Sequence, residues 1–293
     1  MNDFLSRISD KRKLIDSRLE SLFANGDEYT HDLYNAMAYT IRSGGKRLRP
    51  VVVLMIWELL GREINDEILP VACSIEMIHT YSLIHDDLPA MDNDDFRRGK
   101  PALHKKYDEG TAVLAGDGLF SYALEVFMQA DVSSDTMVKA LKFFLREIGP
   151  EGIVAGQFVD TNIDMFERDE STLKFIHNKK TASLIAACFT LPVIIAEETD
   201  RIESFYRLGK GAGLLFQIID DILDVTASPD NLGKSLNKDI KQNKLTYITF
   251  YELEDARRKA EIQYNNIMHL AEETGVKNTL IGEMLTYFYK RIS

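Results

Sequence analysis

The stretch FQIIDDILD at residues 216–224 places three aspartates inside an apolar run. Asp220 and Asp224 are four residues apart and would share one face of a helix, with Gln217 on a neighbouring position of that stripe. Bare carboxylates are costly to bury. The stretch therefore predicts a helix whose acidic face meets a positively charged partner.

A second acidic stretch, DDLPAMD at residues 86–92, also follows an apolar run. Asp86 and Asp92 are six residues apart, which would put them on different sides of a regular helix. Pro89 lies between them, and proline lacks an amide hydrogen and clashes with the preceding helical turn. We expect a kink or bulge that brings Asp92 back toward Asp86.

These two acidic stretches have two interpretations. Either one alone could be a solvated acidic helix end. Together, and set in apolar runs, they suggest a site for hard divalent cations, which take oxygen ligands. Mg²⁺ is usually shared between one or two carboxylates and the phosphates of a substrate. The pair therefore predicts a metal-bridged phosphate site inside a helical protein.

The composition of the whole chain is that of an ordinary globular protein. It has 293 residues, of which 45% are apolar and 28% charged. Alternating β-branched runs are few, and the apolar residues 51–60 are better explained as a buried helix stopped by Gly61 than as a strand. No linker, low-complexity tract or clear repeat divides the sequence. We predict an all-α fold, with residues 1–293 forming a single domain.

Charge and hydropathy exclude several classes of protein. A net charge of −11 argues against binding nucleic acid, which requires a broad basic surface. Cys73 and Cys188 lack metal-site spacing and suit a reducing compartment. The N-terminus has no signal-peptide core, and the longest apolar run, residues 181–196, is short for a membrane span and contains Pro192. We expect a cytoplasmic protein without a membrane span and a fully buried core helix in that run.

This acidic chain contains five basic motifs: GGKRLRP at 44–50, RRGK at 97–100, KKT at 179–181, GK at 233–234 and KLT at 244–246. Any one of them could be a solvated helix end. Arginine can grip phosphate in a bidentate fork, and paired glycines allow close approach of the backbone to a ligand. We expect the KKT motif to begin a helix, whose N-terminus would also favour an anion. With both acidic stretches, the motifs indicate a diphosphate-and-metal site.

The histidines give a weaker signal. His79 lies seven residues before Asp86, two helical turns away on nearly the same face. It is either a ligand contact or a core histidine, and the residues alone leave both open. His85 is rotated away from Asp86, and we interpret it as structural.

Several of these motifs occur together in one known family. Residues 75–101 and the motifs GGKRLRP, LAGDGLF (114–120), GQFVD (156–160), KTASL (180–184) and FQIIDDILD resemble the trans-prenyltransferases, most closely the bacterial farnesyl and geranylgeranyl diphosphate synthases. The match runs in order from about residue 30 to residue 260. Ala182 is a small departure, because relatives often carry glycine there. The resemblance implies a helical bundle around a large central cavity, as in isoprenoid synthases.

The resemblance also implies roles for individual residues. Three Mg²⁺ ions are expected, with Asp86 and Asp92 holding two and Asp220 the third, while Asp87, Asp221 and Asp224 act through water or as secondary ligands. Residues implied to bind the allylic diphosphate are Arg97, Lys180, Lys234, Thr181, Gln217 and Lys244; of these, Lys180, Thr181 and Gln217 are also the catalytic candidates. Residues implied to bind isopentenyl diphosphate are Lys46, Arg49, His79 and Arg98.

The implied activity is head-to-tail condensation of isopentenyl diphosphate with dimethylallyl or geranyl diphosphate. In this family, chain growth usually stops at residues four or five positions before the first aspartate, here Ser82 and Tyr81. Because Tyr81 is bulky, we expect farnesyl diphosphate and pyrophosphate as the main products. The family also suggests a homodimer.

Four alternatives remain open from the sequence. The product could be geranylgeranyl diphosphate. The chain could be a class I terpene cyclase, although such an enzyme needs no second diphosphate site and usually carries a different second motif. It could be a helical phosphohydrolase using the pair His85-Asp86, or a non-catalytic subunit of a heteromeric synthase.

Overall fold

The computed structural model describes residues 2–24, 26–226 and 244–292. Their helices, in chain order, are α1 Asn2–Arg7, α2 Ser9–Leu22, α3 His31–Arg42, α4 Leu48–Leu59, α5 Leu69–Asp86, α6 Leu103–Lys106, α7 Glu109–Phe127, α8 Ser134–Ile148, α9 Ile153–Thr161, α10 Glu170–Ile176, α11 Ala182–Ile195, α12 Ile202–Thr226, α13 Tyr247–Phe250, α14 Leu253–Glu273 and α15 Leu280–Tyr289. The two short strands, β1 Phe96–Arg97 and β2 Lys100–Pro101, form an antiparallel hairpin. The predicted all-α fold is confirmed.

The centre of the bundle is helix α11, which contains most of the longest apolar run. All its residues but Ile185 are buried, because α4, α8 and α12 pack around it. The predicted core helix is therefore confirmed. Within the described ranges, no helix combines the length and the apolar character that crossing a membrane requires.

Helices α11 and α12 pack unusually closely because α12 presents glycines to its neighbour. A Cβ atom at Gly213 would lie 2.5 Å from the Cα of Ala182, and one at Gly209 would lie 2.7 Å from the Cα of Ala186. Such distances are shorter than carbon atoms tolerate, so only glycine fits at these two positions. This close packing fixes the FQIIDDILD stretch, the last third of α12, beside the start of α11.

Two helix ends follow their sequence signals. Helix α4 covers the apolar residues 51–59, and Gly61 beyond it has φ +77°. The C-terminal amphipathic segment is interrupted at Gly275, also at φ +77°, and resumes as α15. Glycine adopts this left-handed conformation without the steric cost that other residues pay. The break turns α15 back against α4 and α12.

Candidate active site

Helix α5 ends at Asp86, and the chain then turns back on itself. The Asp92 amide nitrogen donates to the Asp86 carbonyl oxygen over 2.8 Å, and the Asn93 and Asp94 amides also bond back to residues 87–88. Asn93 takes the left-handed conformation, φ +51°, that such a turn requires. The turn brings Asp92 back beside Asp86, which confirms the predicted return of the chain.

The carboxylate of Asp86 is in an unfavourable place for a charge. Burial raises its pKa to about 6 and the neighbouring Asp92 adds to this, against the opposing effect of Lys180 and Lys244. Lys244 lies 2.9 Å from Asp92 Oδ2. The first acidic stretch thus already faces two ammonium groups, yet the pKa of Asp86 stays raised because the effect of burial outweighs their positive charge.

The second acidic stretch divides into residues that face in different directions. Asp220 lines a cavity, whereas Asp221 is almost completely buried between α12 and α13. Asp221 Oδ1 accepts from Gln217 Nε2 over 2.7 Å, and Oδ2 accepts from the Tyr247 amide over 2.8 Å. Asp224 is partly buried. Adjacent aspartates therefore have different surroundings, as their rotation of about 100° around a helix requires.

Lys180 and Thr181 lie in a π-helical turn, residues 177–181, which joins α10 to α11 without a break. The expectation that the KKT motif begins a helix is therefore wrong, because the turn carries α10 into α11 and leaves no separate helix start at Lys180. The wider turn fits a close approach of α9, where a Cβ at Gly156 would lie 2.1 Å from the Lys180 backbone nitrogen. From this turn, Lys180 contacts Asp160 of α9 and Thr181 contacts Gln217 of α12.

The charge of Lys180 is held by carboxylates. Its ammonium lies 2.5 Å from Asp160 Oδ2. Burial opposes the charge, but Asp160, Asp86 and Asp92 outweigh it and hold the pKa of Lys180 above its usual range. Next to it, the Thr181 hydroxyl donates to Gln217 Oε1 over 2.6 Å. A fixed cation and a polar pair thus lie beside the first acidic stretch.

One cavity, of about 340 Å³, lies between α4, α5, α12 and α15. Its walls include all the residues predicted to bind isopentenyl diphosphate, namely Lys46, Arg49, His79 and Arg98. Burial, together with the charges of Arg49 and Arg98, lowers the pKa of His79 well below its usual value, so the imidazole is neutral. Four predicted residues from three separate motifs therefore converge on one cavity suited to an anion.

A second cavity, of about 390 Å³, lies between α5, α9 and the π-helical turn. It is lined by Tyr81, Ser82, Asp86, Lys180 and Thr181, and most of its surface is apolar, although about half of its other lining residues are polar. The two cavities share Arg49 and His79, which form the wall between them. A polar end near Asp86 and Lys180 within a mostly apolar surface suits a molecule with an anionic head and a hydrocarbon tail.

Comparison with known proteins identifies the family. Residues 30–284 match the family of polyprenyl synthetases. The chain belongs to this family. The prediction that it is a trans-prenyltransferase is confirmed.

Similar polyprenyl synthetases come from plants and bacteria. The farnesyl diphosphate synthase of Bacillus subtilis is 36% identical over 97% of this chain and 96% of its own length. Large subunit 1 of the heterodimeric geranylgeranyl pyrophosphate synthase of Arabidopsis thaliana is 44% identical over 88% of this chain and 71% of its own. The structure of a Helicobacter pylori geranyltransferase complexed with magnesium and isoprenyl diphosphate aligns with a TM-score of 0.85 and 30% identity, covering 99% of this chain and 97% of that one.

Carboxylate oxygens of this polyprenyl synthetase form a donor set that suits Mg²⁺. In the described parts of the chain, no three His, Cys, Asp or Glu side chains are gathered closely enough to bind one ion by themselves. Mg²⁺ does not require this, because it takes one or two carboxylates together with substrate phosphates and water. The raised pKa of Asp86, caused first by burial, is the observation that fits a cation site. Asp86, Asp92 and Asp220 therefore fit the metal.

Among the described residues, four of the predicted ligands line neither cavity, namely Asp92, Arg97, Gln217 and Lys244. Arg97 contacts Asp87 and Asp94 beneath the turn and is mostly buried there. Lys244 is held by Asp92. Lys234 lies outside the described residues.

Sequence reasoning missed two groups in this polyprenyl synthetase. Glu76, buried on α5, lies 2.7 Å from Arg47 and 3.8 Å from Arg98, so it holds a cationic wall of the first cavity in place. Its signal was a carboxylate within an apolar run, as for the aspartates. Arg291 also lines this cavity, and only the packing of α15 could reveal it.

Proposed function

We propose that this polyprenyl synthetase condenses isopentenyl diphosphate with dimethylallyl and then geranyl diphosphate, with farnesyl diphosphate as its main product. The observation that carries the proposal is the pair of cavities that share the wall of Arg49 and His79. A condensation needs two diphosphates held side by side with their reacting carbons adjacent. One cavity is cationic, and the other has an acidic and cationic mouth with an apolar interior.

The first cavity would hold isopentenyl diphosphate. Lys46, Arg49 and Arg98 supply charge-assisted hydrogen bonds, and Arg98 is oriented by the carbonyl of Gly44 and by Glu76. A Cβ at Gly45 would lie 3.0 Å from the Arg98 guanidinium carbon, so glycine makes room for that side chain. Neutral His79 offers a donor without adding to the crowded positive charge.

The second cavity would hold the allylic substrate. Asp86, Asp92 and Asp220 would bind Mg²⁺, which we expect as three ions, and Asp87 and Asp224 would act through water. When bound, the metal stabilises the negative charge that develops on the departing pyrophosphate. Lys180 lines the cavity and would bind the same diphosphate. The family resemblance adds Arg97, Lys234 and Lys244, although Arg97 and Lys244 line neither cavity in this structure.

The carbocation left by ionisation would be met by oxygen dipoles. Thr181 and Gln217 are joined by a 2.6 Å hydrogen bond beside the cavity mouth, and neither is a strong nucleophile that would trap a cation. The double bond of isopentenyl diphosphate then attacks, and the adduct loses a proton. We assign that proton to the released pyrophosphate and name no protein base.

Tyr81 supports a fifteen-carbon product. It lines the second cavity one helical turn and a half before Asp86 and packs between His85 and Phe120, with ring centroids 5.2 and 5.1 Å away. Phe120, from the LAGDGLF motif on α7, packs edge-on against the Tyr81 ring. Ser82 lies beside it on the same wall. A braced ring resists displacement by a growing chain.

The alternatives receive different support. Relatives named for geranylgeranyl products are as similar as those named for farnesyl products, which keeps a twenty-carbon product as the second candidate. A terpene cyclase has no use for the cationic first cavity. The phosphohydrolase is disfavoured because the Nε2 of His85, although this residue lines the second cavity, is engaged by the Val113 carbonyl and lies 3.8 Å from Asp117.

We also propose a homodimer of single-domain chains. Leu114 on α7 and Phe158 on α9 are 62% and 53% exposed, and Met165 is 71% exposed. Exposed large apolar side chains are typical of a surface covered by a second copy. The cytoplasmic location remains a prediction.

The test is turnover with defined substrates. Purified protein is incubated with Mg²⁺ and with isopentenyl and dimethylallyl diphosphates, singly and together, and pyrophosphate release and product length are measured. We expect release that requires both substrates, and farnesyl diphosphate by chromatography. Release from the allylic substrate alone would indicate a cyclase or hydrolase, and no release would indicate a non-catalytic subunit.

A further inference from the structure

Asp221 is buried at the end of a chain of hydrogen bonds that leads to the second cavity. The Thr181 hydroxyl donates to Gln217 Oε1 over 2.6 Å, and Gln217 Nε2 donates to Asp221 Oδ1 over 2.7 Å. Thr181 lines the cavity, whereas the side chain of Asp221 is 1% exposed. The three side chains thus connect the cavity to a fully enclosed carboxylate.

Asp221, at the buried end, determines which group donates in each of these hydrogen bonds. An ionised carboxylate only accepts hydrogen bonds, so Gln217 must turn its NH₂ group toward Asp221 and its carbonyl toward Thr181. The carbonyl in turn can only accept, so the Thr181 hydroxyl must donate to it. The hydroxyl hydrogen therefore points away from the cavity, and the oxygen lone pairs of Thr181 are left facing it.

The position of Asp221 is itself fixed. Its second oxygen accepts from the Tyr247 amide over 2.8 Å, at the first residue of α13. His177, whose Nε2 lies 3.9 Å from the same oxygen, is neutral because burial lowers its pKa to about 4. Asp221 is thus tied to two elements by groups that do not depend on a bound ligand.

We propose that Asp221 is a positioning residue that sets the polarity of the oxygen dipoles facing the carbocation. It acts through Gln217 on Thr181, three side chains in series, and does not serve as a metal ligand like its neighbour Asp220. Hydrogen bonds in such a series polarise one another, so the buried charge strengthens the negative end presented to the cavity. The proposal rests on the proposed function, because it assumes that an allylic cation forms beside Thr181.

The substitution Asp221→Asn should reverse the direction of both hydrogen bonds in this series. The asparagine oxygen keeps the Tyr247 amide, so its NH₂ group faces Gln217. Gln217 then flips to present its carbonyl to Asn and its NH₂ to Thr181, whose hydroxyl becomes an acceptor and turns its hydrogen toward the cavity. Size and shape at residue 221 are unchanged.

The experiment compares two unreactive allylic diphosphate analogues by calorimetry with Mg²⁺. One is a neutral thiolodiphosphate, and the other carries an ammonium group in place of the cationic carbon. We expect the wild type to prefer the ammonium analogue, and Asp221→Asn to reduce that preference about fivefold or more while binding the neutral analogue as before. Asp220→Asn should weaken both analogues alike, since both carry the diphosphate.

A swapped pair provides the rescue. In Asp221→Asn with Gln217→Glu, the glutamate accepts from both the asparagine and Thr181, which restores the original direction of the Thr181 hydroxyl and keeps the net charge of the pair. We expect the preference for the ammonium analogue to return. Because both hydrogen bonds are retained, this double variant also tests the proposal if the single variant folds poorly.

The outcomes separate the two proposals. An unchanged preference in Asp221→Asn, or no recovery in the swapped pair, would overturn the positioning role while leaving the prenyltransferase assignment intact. Equal loss of both analogues in Asp221→Asn would mean that Asp221 acts on metal binding instead. Failure of the wild type to bind either analogue would count against the proposed function itself.

Discussion

The ammonium of Lys244 lies 2.9 Å from Asp92 Oδ2, joining the segment after the second acidic stretch to the first one across 152 residues of sequence. Asp92 thus has a positive partner before any metal arrives. Asp86 lies beside it and has a raised pKa, caused first by burial. Asp92 and Asp86, which belong to the same turn, therefore differ in how much positive charge a metal has to supply.

Asp86→Asn should stabilise the metal-free protein while removing activity. The pKa of Asp86 rises from 3.8 to about 6 on folding, so folding is penalised where the carboxylate is charged. The penalty is absent below about pH 4, where both states are protonated, and complete above about pH 6. We expect a gain of about 3 kcal/mol in the free energy of unfolding at pH 7.5 and almost none at pH 3.5, measured with urea and a chelator.

Turnover of Asp86→Asn should fall by about 10²-fold or more, because a metal ligand at the leaving group is lost. Asp164→Asn, at an exposed carboxylate, is the matched control and should change neither quantity. Near-normal turnover at saturating Mg²⁺ would contradict the assignment of Asp86 to the metal.

Lys46→Ala should raise KM for isopentenyl diphosphate about tenfold, with a much smaller effect on the allylic substrate. Lys46 lines only the first of the two cavities, where burial and then Arg291 lower its pKa. A diphosphate would relieve this repulsion. Steady-state kinetics with each substrate varied in turn would measure the split. Arg49 is a poorer probe because it lines both cavities. Lys244→Ala should do the reverse of Lys46→Ala and raise KM mainly for the allylic substrate.

Tyr81→Ala should lengthen the product from fifteen to twenty carbons or more, because the ring that closes the second cavity is removed. Phe120→Ala should have a weaker effect in the same direction, since it removes only the brace behind that ring. Tyr81→Phe keeps the ring and is the control that should leave product length unchanged. If chromatography shows the same chain length for Tyr81→Ala as for the wild type, another residue stops elongation.

Gly156→Ala should destabilise the protein by about 3 kcal/mol or more, and it should also reduce turnover. The new methyl group would lie 2.1 Å from the backbone nitrogen of Lys180, so the π-helical turn must move. Gly110→Ala, near the start of α7, meets only a carboxylate oxygen at 3.2 Å and should leave both stability and activity close to those of the wild type. Thermal unfolding followed by circular dichroism compares the two. Equal melting temperatures would show that the turn tolerates displacement.

Glu76→Gln should cost about 3 kcal/mol of stability, because it leaves the buried Arg47 without part of its counter-charge. It should also raise KM for isopentenyl diphosphate through Arg98, which lies 3.8 Å from Glu76. Glu58→Gln removes the exposed partner of a pair with the half-buried Lys11 and should cost only about 0.5 kcal/mol. A KM effect without any loss of stability would mean that Glu76 acts on the substrate and not on the buried arginine.

Local sequence signals predicted much of the fold and part of the site. Pro89 between two aspartates predicted the turn after α5, and four-residue spacing placed Asp220 on one face of α12. The partners of these residues depend on distant packing. Nothing local indicates that Arg97 meets Asp87, that Arg291 reaches the first cavity, or that a π-helical turn replaces a helix start at Lys180.

The different surroundings of Asp220 and Asp221 illustrate what the sequence alone cannot predict. Both belong to one acidic motif, and helical geometry alone rotates them apart, yet which one meets the cavity depends on where α13 and the π-helical turn pack. The sequence supplies the angle between the two side chains, and tertiary contacts supply the direction in which each points.

The wall formed by Arg49 and His79 has a consequence for inhibitor design. Because one pair of side chains borders both cavities, an anionic group placed near it would be within reach of two cation sets at once. A single compound with two phosphonate ends and a short tether across this wall would occupy both cavities and lose its translational freedom only once. The thickness of two side chains would then determine the length of the tether.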